Sequence, residues 1–144
     1  MVINMKIAVG SDHAGFELKQ AILEHLSANN INFIDCGTNS TESVDYPDFA
    51  KIVAESINEK DIMMGILVCG SGQGMAMTAN RYKHIRAALC FNQEAVKITR
   101  QHNDANLLCL GSRFIKKLEA LSCVDTFLST DFEGDRHLKR INKI

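Results

Sequence analysis

Two glycine-rich segments hold the groups best suited to chemistry: Gly10-Ser11-Asp12-His13-Ala14-Gly15 near the start and Cys69-Gly70-Ser71-Gly72-Gln73-Gly74 mid-chain. Alternating glycines ahead of a helix let backbone N–H groups approach a ligand closely, at the helix end where negative charge is favoured. The second segment is therefore a candidate cradle for a phosphate or an oxyanion. Cys69 stands directly before it, at an expected helix start, and could act as a base. Cys36, Cys90 and Cys109 lie at or near expected strands and read as small buried hydrophobes, a reading that stays open for Cys69 too. A dinucleotide fingerprint would need glycine where Met75 stands, a P-loop would need Gly-Lys-Ser/Thr, and a phosphatase-type loop would need arginine at 75. What remains is an oxyanion cradle or a turn that merely packs a helix on a strand.

Three further groups stand out. His102, in Arg100-Gln101-His102-Asn103-Asp104, continues the spacing of Ala95 and Ile98, so a satisfied core histidine competes with a catalytic one. The tail from Arg136 to Lys143 carries four cations and no acid, and Arg136 and Arg140 at i,i+4 suit a phosphate, against the plainer reading of a solvated basic end. Arg113 could add a bidentate phosphate contact.

These groups must be positioned by elements that the hydrophobic pattern predicts. Apolar runs predict strands at 6–10, 31–35, 64–69, 86–90 and 107–111. Leu18, Ile22 and Leu26 predict a first helix, and Phe49, Ile52, Val53 and Ile57 a second after Pro47. Further helices are expected at about 74–81, 93–102 and 115–128, with a basic C-terminal helix at about 135–144. Alternating strands and helices imply a doubly wound α/β fold, a five-stranded parallel sheet between two helical layers. The order expected is 2-1-3-4-5, with the switch point between strands 1 and 3 at their carboxyl ends, where both glycine segments fall. A helix after strand 4 runs back about 15 Å, placing His102 at the edge of the sheet opposite Cys69. If both are catalytic, a second subunit must lend His102 and Asn103 to the crevice of the first.

Composition bounds the rest. The chain has 144 residues, 46 % of them apolar, which suits one globular domain spanning 1–144. Sixteen Lys plus Arg against 17 Asp plus Glu, net −1, argue against wholesale nucleic-acid binding. Five cysteines without CxxC spacing suit neither a disulfide framework nor a zinc knuckle. The longest apolar stretch, Ile62 to Cys69, is far short of the ~18–20 residues that span a bilayer, and no signal peptide opens the chain. The expectation is a cytoplasmic protein with no membrane or nucleic-acid partner.

With DHAG after strand 1, CGSGQG after strand 3, RQHND after helix 4, LGSR after strand 5 and GDRHLKRI in the tail, the chain closely resembles type B ribose-5-phosphate isomerase over nearly its whole length. DYPDFA around Tyr46 is also similar to this family. The resemblance implies interconversion of ribose 5-phosphate and ribulose 5-phosphate in the non-oxidative pentose phosphate pathway. It implies no metal or organic cofactor, and a homodimer whose sites combine both subunits, with a dimer of dimers left open. By position, Cys69 resembles the proton acceptor and His102 the acid that helps open the sugar ring. Gly70, Ser71, Gly72, Gln73 and Gly74 would hold the enediolate. Asp12 and His13 would contact the sugar near its ring oxygen and hydroxyls, with Asn103 supporting the same end. Arg113, Arg136 and Arg140 would bind mainly the phosphate, and Tyr46 would line the pocket. One branch of the family lacks the cysteine and has an acid at the position of Met75, so this chain sides with the cysteine branch. Galactose-6-phosphate isomerase subunits lack this cysteine and the Asp-His pair. A six-carbon substrate such as allose or galactose 6-phosphate and a non-catalytic sugar-phosphate binding module are the alternatives. Residues 1–4 stand ahead of the family's usual start.

Overall fold

The computed structural model describes residues 5–58 and 61–144; the extension at residues 1–4 lies outside them. In chain order the elements are β1 (Lys6–Ser11), α1 (Phe16–Ala28), β2 (Asn32–Asp35), α2 (Tyr46–Ser56), β3 (Ile62–Cys69), α3 (Gln73–Ala79), β4 (Ala87–Leu89), α4 (Gln93–Asn103), β5 (Leu107–Gly111) and α5 (Lys117–Ser129). A single 3-10 turn, Asp135–His137, and a short α6, Leu138–Ile141, close the chain.

All strand pairs are parallel, as helical crossovers require, and the sheet order is β2-β1-β3-β5-β4. The doubly wound α/β fold is as expected, but the order 2-1-3-4-5 is corrected at its far edge. Every residue of β5 is buried, whereas the three residues of β4 are only partly so. A run buried on both faces belongs inside the sheet, and a short, half-wetted strand is tolerated at its rim. Asn106 holds the two together at their start: its Oδ1 accepts the Arg86 N–H at 2.7 Å, and its Nδ2 donates to the His84 carbonyl at 2.8 Å.

Strand side chains alternate between two cores. Ile7, Val9, Ile66, Val68, Leu108 and Leu110 pack with Ile22 and Leu26 of α1, Val96 of α4, and Val124 and Phe127 of α5. On the other face Ala8, Leu67, Cys69, Leu107 and Cys109 pack with Ala50 and Val53 of α2 and Met75 and Ala79 of α3. Burying each large aliphatic side chain contributes roughly 1.5–3 kcal/mol, so these two layers hold the strand ends that carry the site.

Two helical faces differ from expectation. On α2 the buried positions are Ala50, Val53 and Ala54, while Ile52 is 44 % exposed. On α4 the core side is Val96 and Arg100, and Ile98 turns outward with His102. A core histidine at 102 is thereby excluded.

Candidate active site

β1 and β3 end side by side at the switch point of the sheet, with Gly10 paired to Leu67 and Ser11 to Val68. The chain leaving β1 stays close to β3: the Asp12 N–H donates to the Val68 carbonyl at 3.2 Å. Asp12 is buried, and its Oδ1 accepts the Gly15 N–H at 3.0 Å, which fixes the turn into α1. His13 accepts the Val44 N–H on Nδ1 at 3.1 Å, so a neutral ring carries its hydrogen on Nε2.

Cys69 ends β3, and its Sγ accepts the Gly72 N–H at 3.0 Å. Gly72 has φ +77° and lies so close to Leu89 and Leu110 that a Cβ would collide with both, so the loop needs glycine there. Gly74 is bare for another reason: the Tyr46 ring, at the start of α2, rests where its Cβ would stand. The Arg113 guanidinium lies against Gly70, reached because the Ser112 and Arg113 N–H groups donate to the Cys69 and Gly70 carbonyls.

The result is an open cleft of about 410 Å³ lined by Asp12, His13, Ala14, Tyr46, Cys69, Gly70, Ser71, Gln73, Gly74, Met77 and Arg113. Gly72 sits behind it as the donor to the sulfur. The thiol thus faces a cavity rimmed by an imidazole, a carboxylate, a phenol and a guanidinium. No other cysteine lines this cleft; Cys36 is partly exposed elsewhere, and Cys90, Cys109 and Cys123 are buried. Burial pushes the Cys90 thiol up to about 11 and Cys123 up to about 12, the latter helped by Glu119, and raises Cys109 further still. Cys36 is raised as well, chiefly by burial.

His102, Asn103, Arg136 and Arg140 are not in this cleft. Leu107 pairs with Ala87 at one end of β5 and Gly111 pairs with Cys69 at the other, about 13 Å apart at ~3.3 Å per residue. Asn103 belongs to the far end, where its carbonyl accepts the Arg86 Nε–H at 3.1 Å and its side chain borders a larger cleft of about 610 Å³. His102 lies nearby, its ring stacked on that of His137 with centroids 4.3 Å apart and planes 16° apart. The Glu133 carboxylate stands 3.9 Å from His102 Nε2 and 3.8 Å from His137 Nε2. Arg136 and Arg140 are exposed beside this pair, and no side-chain hydrogen bond or ion pair holds either guanidinium among the described residues. His137 is held below the usual imidazole range by burial first, then by Arg136, His102 and Arg140, with Glu133 opposing.

Arg100 anchors the second group. Its buried guanidinium donates to the Thr130 carbonyl at 2.9 Å, the Ala105 carbonyl at 2.7 Å and Asp104 Oδ1 at 2.8 Å, while the Glu133 N–H donates to the Gln101 carbonyl. The end of α4 and the tail are thereby tied together. Arg100, Glu133 and His137 are site residues that the sequence pattern alone does not mark. His137 was visible between the two arginines of the tail motif, whereas nothing in the local pattern links Glu133 to His102.

Two half-sites result, both polar and open, at opposite edges of a doubly wound sheet, which defines the class: an α/β protein with a thiol and glycine-loop cleft. The chain belongs to the Ribose/Galactose Isomerase family, whose pattern matches residues 7–144. It is 42 % identical to ribose-5-phosphate isomerase B of Escherichia coli K12 over 139 residues, covering 96 % of this chain and 93 % of that one. Among solved structures it is similar to a ribose 5-phosphate isomerase of Thermotoga maritima, with a TM-score of 0.94 and 51 % identity over 96 % of each chain. It is also similar to ribose-5-phosphate isomerase B of Mycoplasma genitalium with bound ribulose-5-phosphate, with a TM-score of 0.93 and 43 % identity over 99 % of this chain and 95 % of that one.

Proposed function

We propose that this chain is an aldose-ketose isomerase that interconverts ribose 5-phosphate and ribulose 5-phosphate through an enediolate. The observation that carries the reading is the Cys69 sulfur, opening on a cleft with a loop amide 3.0 Å away. Moving one proton between C2 and C1 needs a single base on one face of a planar enediolate. Cys69 is that base. The negative oxygen formed at the former carbonyl is met by N–H groups of the Gly70–Gly74 loop, and losing one such donor typically costs roughly 10²–10³ in turnover. Asp12 and His13 hold the sugar hydroxyls, Tyr46 closes the side, and Arg113 takes part of the phosphate.

The acid comes from a second copy. His102, Asn103, Arg136 and Arg140 sit too far from Cys69 to serve the same substrate in one chain, so a homodimer places them over the partner's cleft. His102 protonates the ring oxygen, and Arg136 and Arg140 grip the phosphate. No metal takes part in these steps, and a chelator leaves the rate unchanged.

The test is solvent-deuterium incorporation at C2, with Cys69→Ala beside the unaltered protein. Exchange and turnover in the unaltered chain, both abolished in a folded Cys69→Ala protein, are the expected result. Near-normal turnover in that variant rejects the base, and binding without exchange makes the chain a sugar-phosphate binding module. Parallel assays with allose and galactose 6-phosphate set the substrate preference.

A further inference from the structure

His102, Glu133 and His137 bring two imidazole nitrogens and a carboxylate oxygen within 4.8 Å of one another. Zinc and its neighbours are held by neutral imidazole and carboxylate groups in this combination, with three protein ligands and a water as the fourth. A second observation points the same way. His137 is 95 % buried by its 5 % exposure, yet its Nε2 has no hydrogen-bond partner, and the carboxylate oxygen at 3.8 Å is beyond hydrogen-bond reach. A buried nitrogen left without a partner costs free energy until something fills the gap. The Glu133 carboxylate, 3.8 Å away, makes a cation bound by both groups one candidate for that something, with the flanking Arg136 and Arg140 opposing it.

We propose that His102, Glu133 and His137 form a site for a divalent transition-metal ion of the zinc type, and that the ion acts there as an inhibitor. Zinc at bond lengths of ~2.0–2.1 Å sets its ligand atoms about 3.3 Å apart, so each imidazole-carboxylate separation must shorten by roughly 0.5 Å. The stack must also open: imidazole lone pairs lie in the ring planes, so rings only 16° apart have to splay before both Nε2 atoms face one ion. Partial exposure leaves room for it: the His102 and Glu133 side chains are 39 % and 45 % exposed, while His137 is buried. Arg136 and Arg140 repel a cation, which makes this a modest site for inhibition and not a structural one that the fold requires. Inhibition, unlike binding, rests on the reading of His102 as the acid. An imidazole whose Nε2 is bound to metal has no proton there to give, and the ion occupies the position from which that nitrogen reaches the substrate.

The experiment titrates the intact protein with Zn²⁺ by calorimetry and with Co²⁺ by visible absorption. One ion per chain is expected, with a tetrahedral Co²⁺ spectrum lacking the thiolate charge-transfer band. Glu133→Gln and His137→Asn should each weaken binding by more than about tenfold, the scale at which even outer-shell partners matter. Cys69→Ala should keep it. The exposed Glu133 side chain makes Glu133→Gln the variant least able to disturb folding. No binding, binding unchanged in Glu133→Gln, or binding lost in Cys69→Ala overturns the site, the last by assigning the ion to the thiol. Isomerisation should slow with added Zn²⁺ and recover with chelator; full activity at saturating Zn²⁺ overturns the inhibitory role. An ion bound as described in a chain without isomerase activity would leave the site standing and remove the proposed function instead.

Discussion

The imidazoles of His102 and His137 lie face to face at 4.3 Å, although one ends α4 and the other closes the turn before α6. A second imidazole that close, with Arg136 and Arg140 beside it, disfavours charge on the buried His137. His137 is accordingly held below the ordinary imidazole range, by burial first and then by its cationic neighbours.

The sign of the resulting pH dependence follows. A histidine whose folded pKa is lowered is protonated more readily in the unfolded chain, so the stability it supports is present above about pH 6.5 and declines as pH falls through that value. Urea midpoints measured from about pH 7.5 down to about pH 5.5 should fall, and His137→Gln should flatten the slope. An unchanged slope would show that His137 does not govern acid sensitivity.

Shared sites predict complementation. Cys69→Ala and His102→Asn should each be inactive alone. Unfolded together in equal amounts and refolded, they should regain roughly a quarter of normal activity, because half of the dimers then hold one intact site of two. A mixture as inactive as its parents places both groups in one chain's site, and an active parent dispenses with the group it lacks.

Selective alkylation tests the outlet of the thiol. Cys69 is only 5 % exposed but lines the cleft, whereas Cys109 and Cys123 are fully buried and Cys90 is 3 % exposed away from it; Cys36 is the more exposed thiol, yet its pKa is raised, chiefly by burial. Iodoacetamide should label Cys69 first by peptide mass spectrometry, with activity lost in step and ribose 5-phosphate slowing both. Initial labelling at Cys36 would contradict this geometry.

Arg100 ties the end of α4 to the end of α5 through the Thr130 and Ala105 carbonyls. Arg100→Met leaves those acceptors without partners and should cost about 1–3 kcal/mol for each one that stays buried, read from urea unfolding. Arg100→Lys should recover only part, because a single ammonium cannot reproduce the guanidinium fork.

Much of this protein was legible one segment at a time. Strand runs, the Pro47 helix start and the paired glycine segments at Asp12 and Cys69 all depend on local spacing, and periodicity registers local spacing directly. The carboxyl-edge cleft followed, because strands 1 and 3 of a doubly wound sheet meet at its switch point whichever order the far strands take. The far order did not follow. Whether β4 or β5 lies next to β3 turns on burial across the sheet, and Asn106 bridging to Arg86 and His84 is a contact between distant residues. The outward face of α4 was misjudged at Ile98 for the same reason: Arg100, a charged residue, took the core side once the Thr130 and Ala105 carbonyls were there to receive it. The meeting of His102, Glu133 and His137 was likewise settled only when the tail folded back across α4, because side chains far apart in the chain become neighbours through packing and not through spacing.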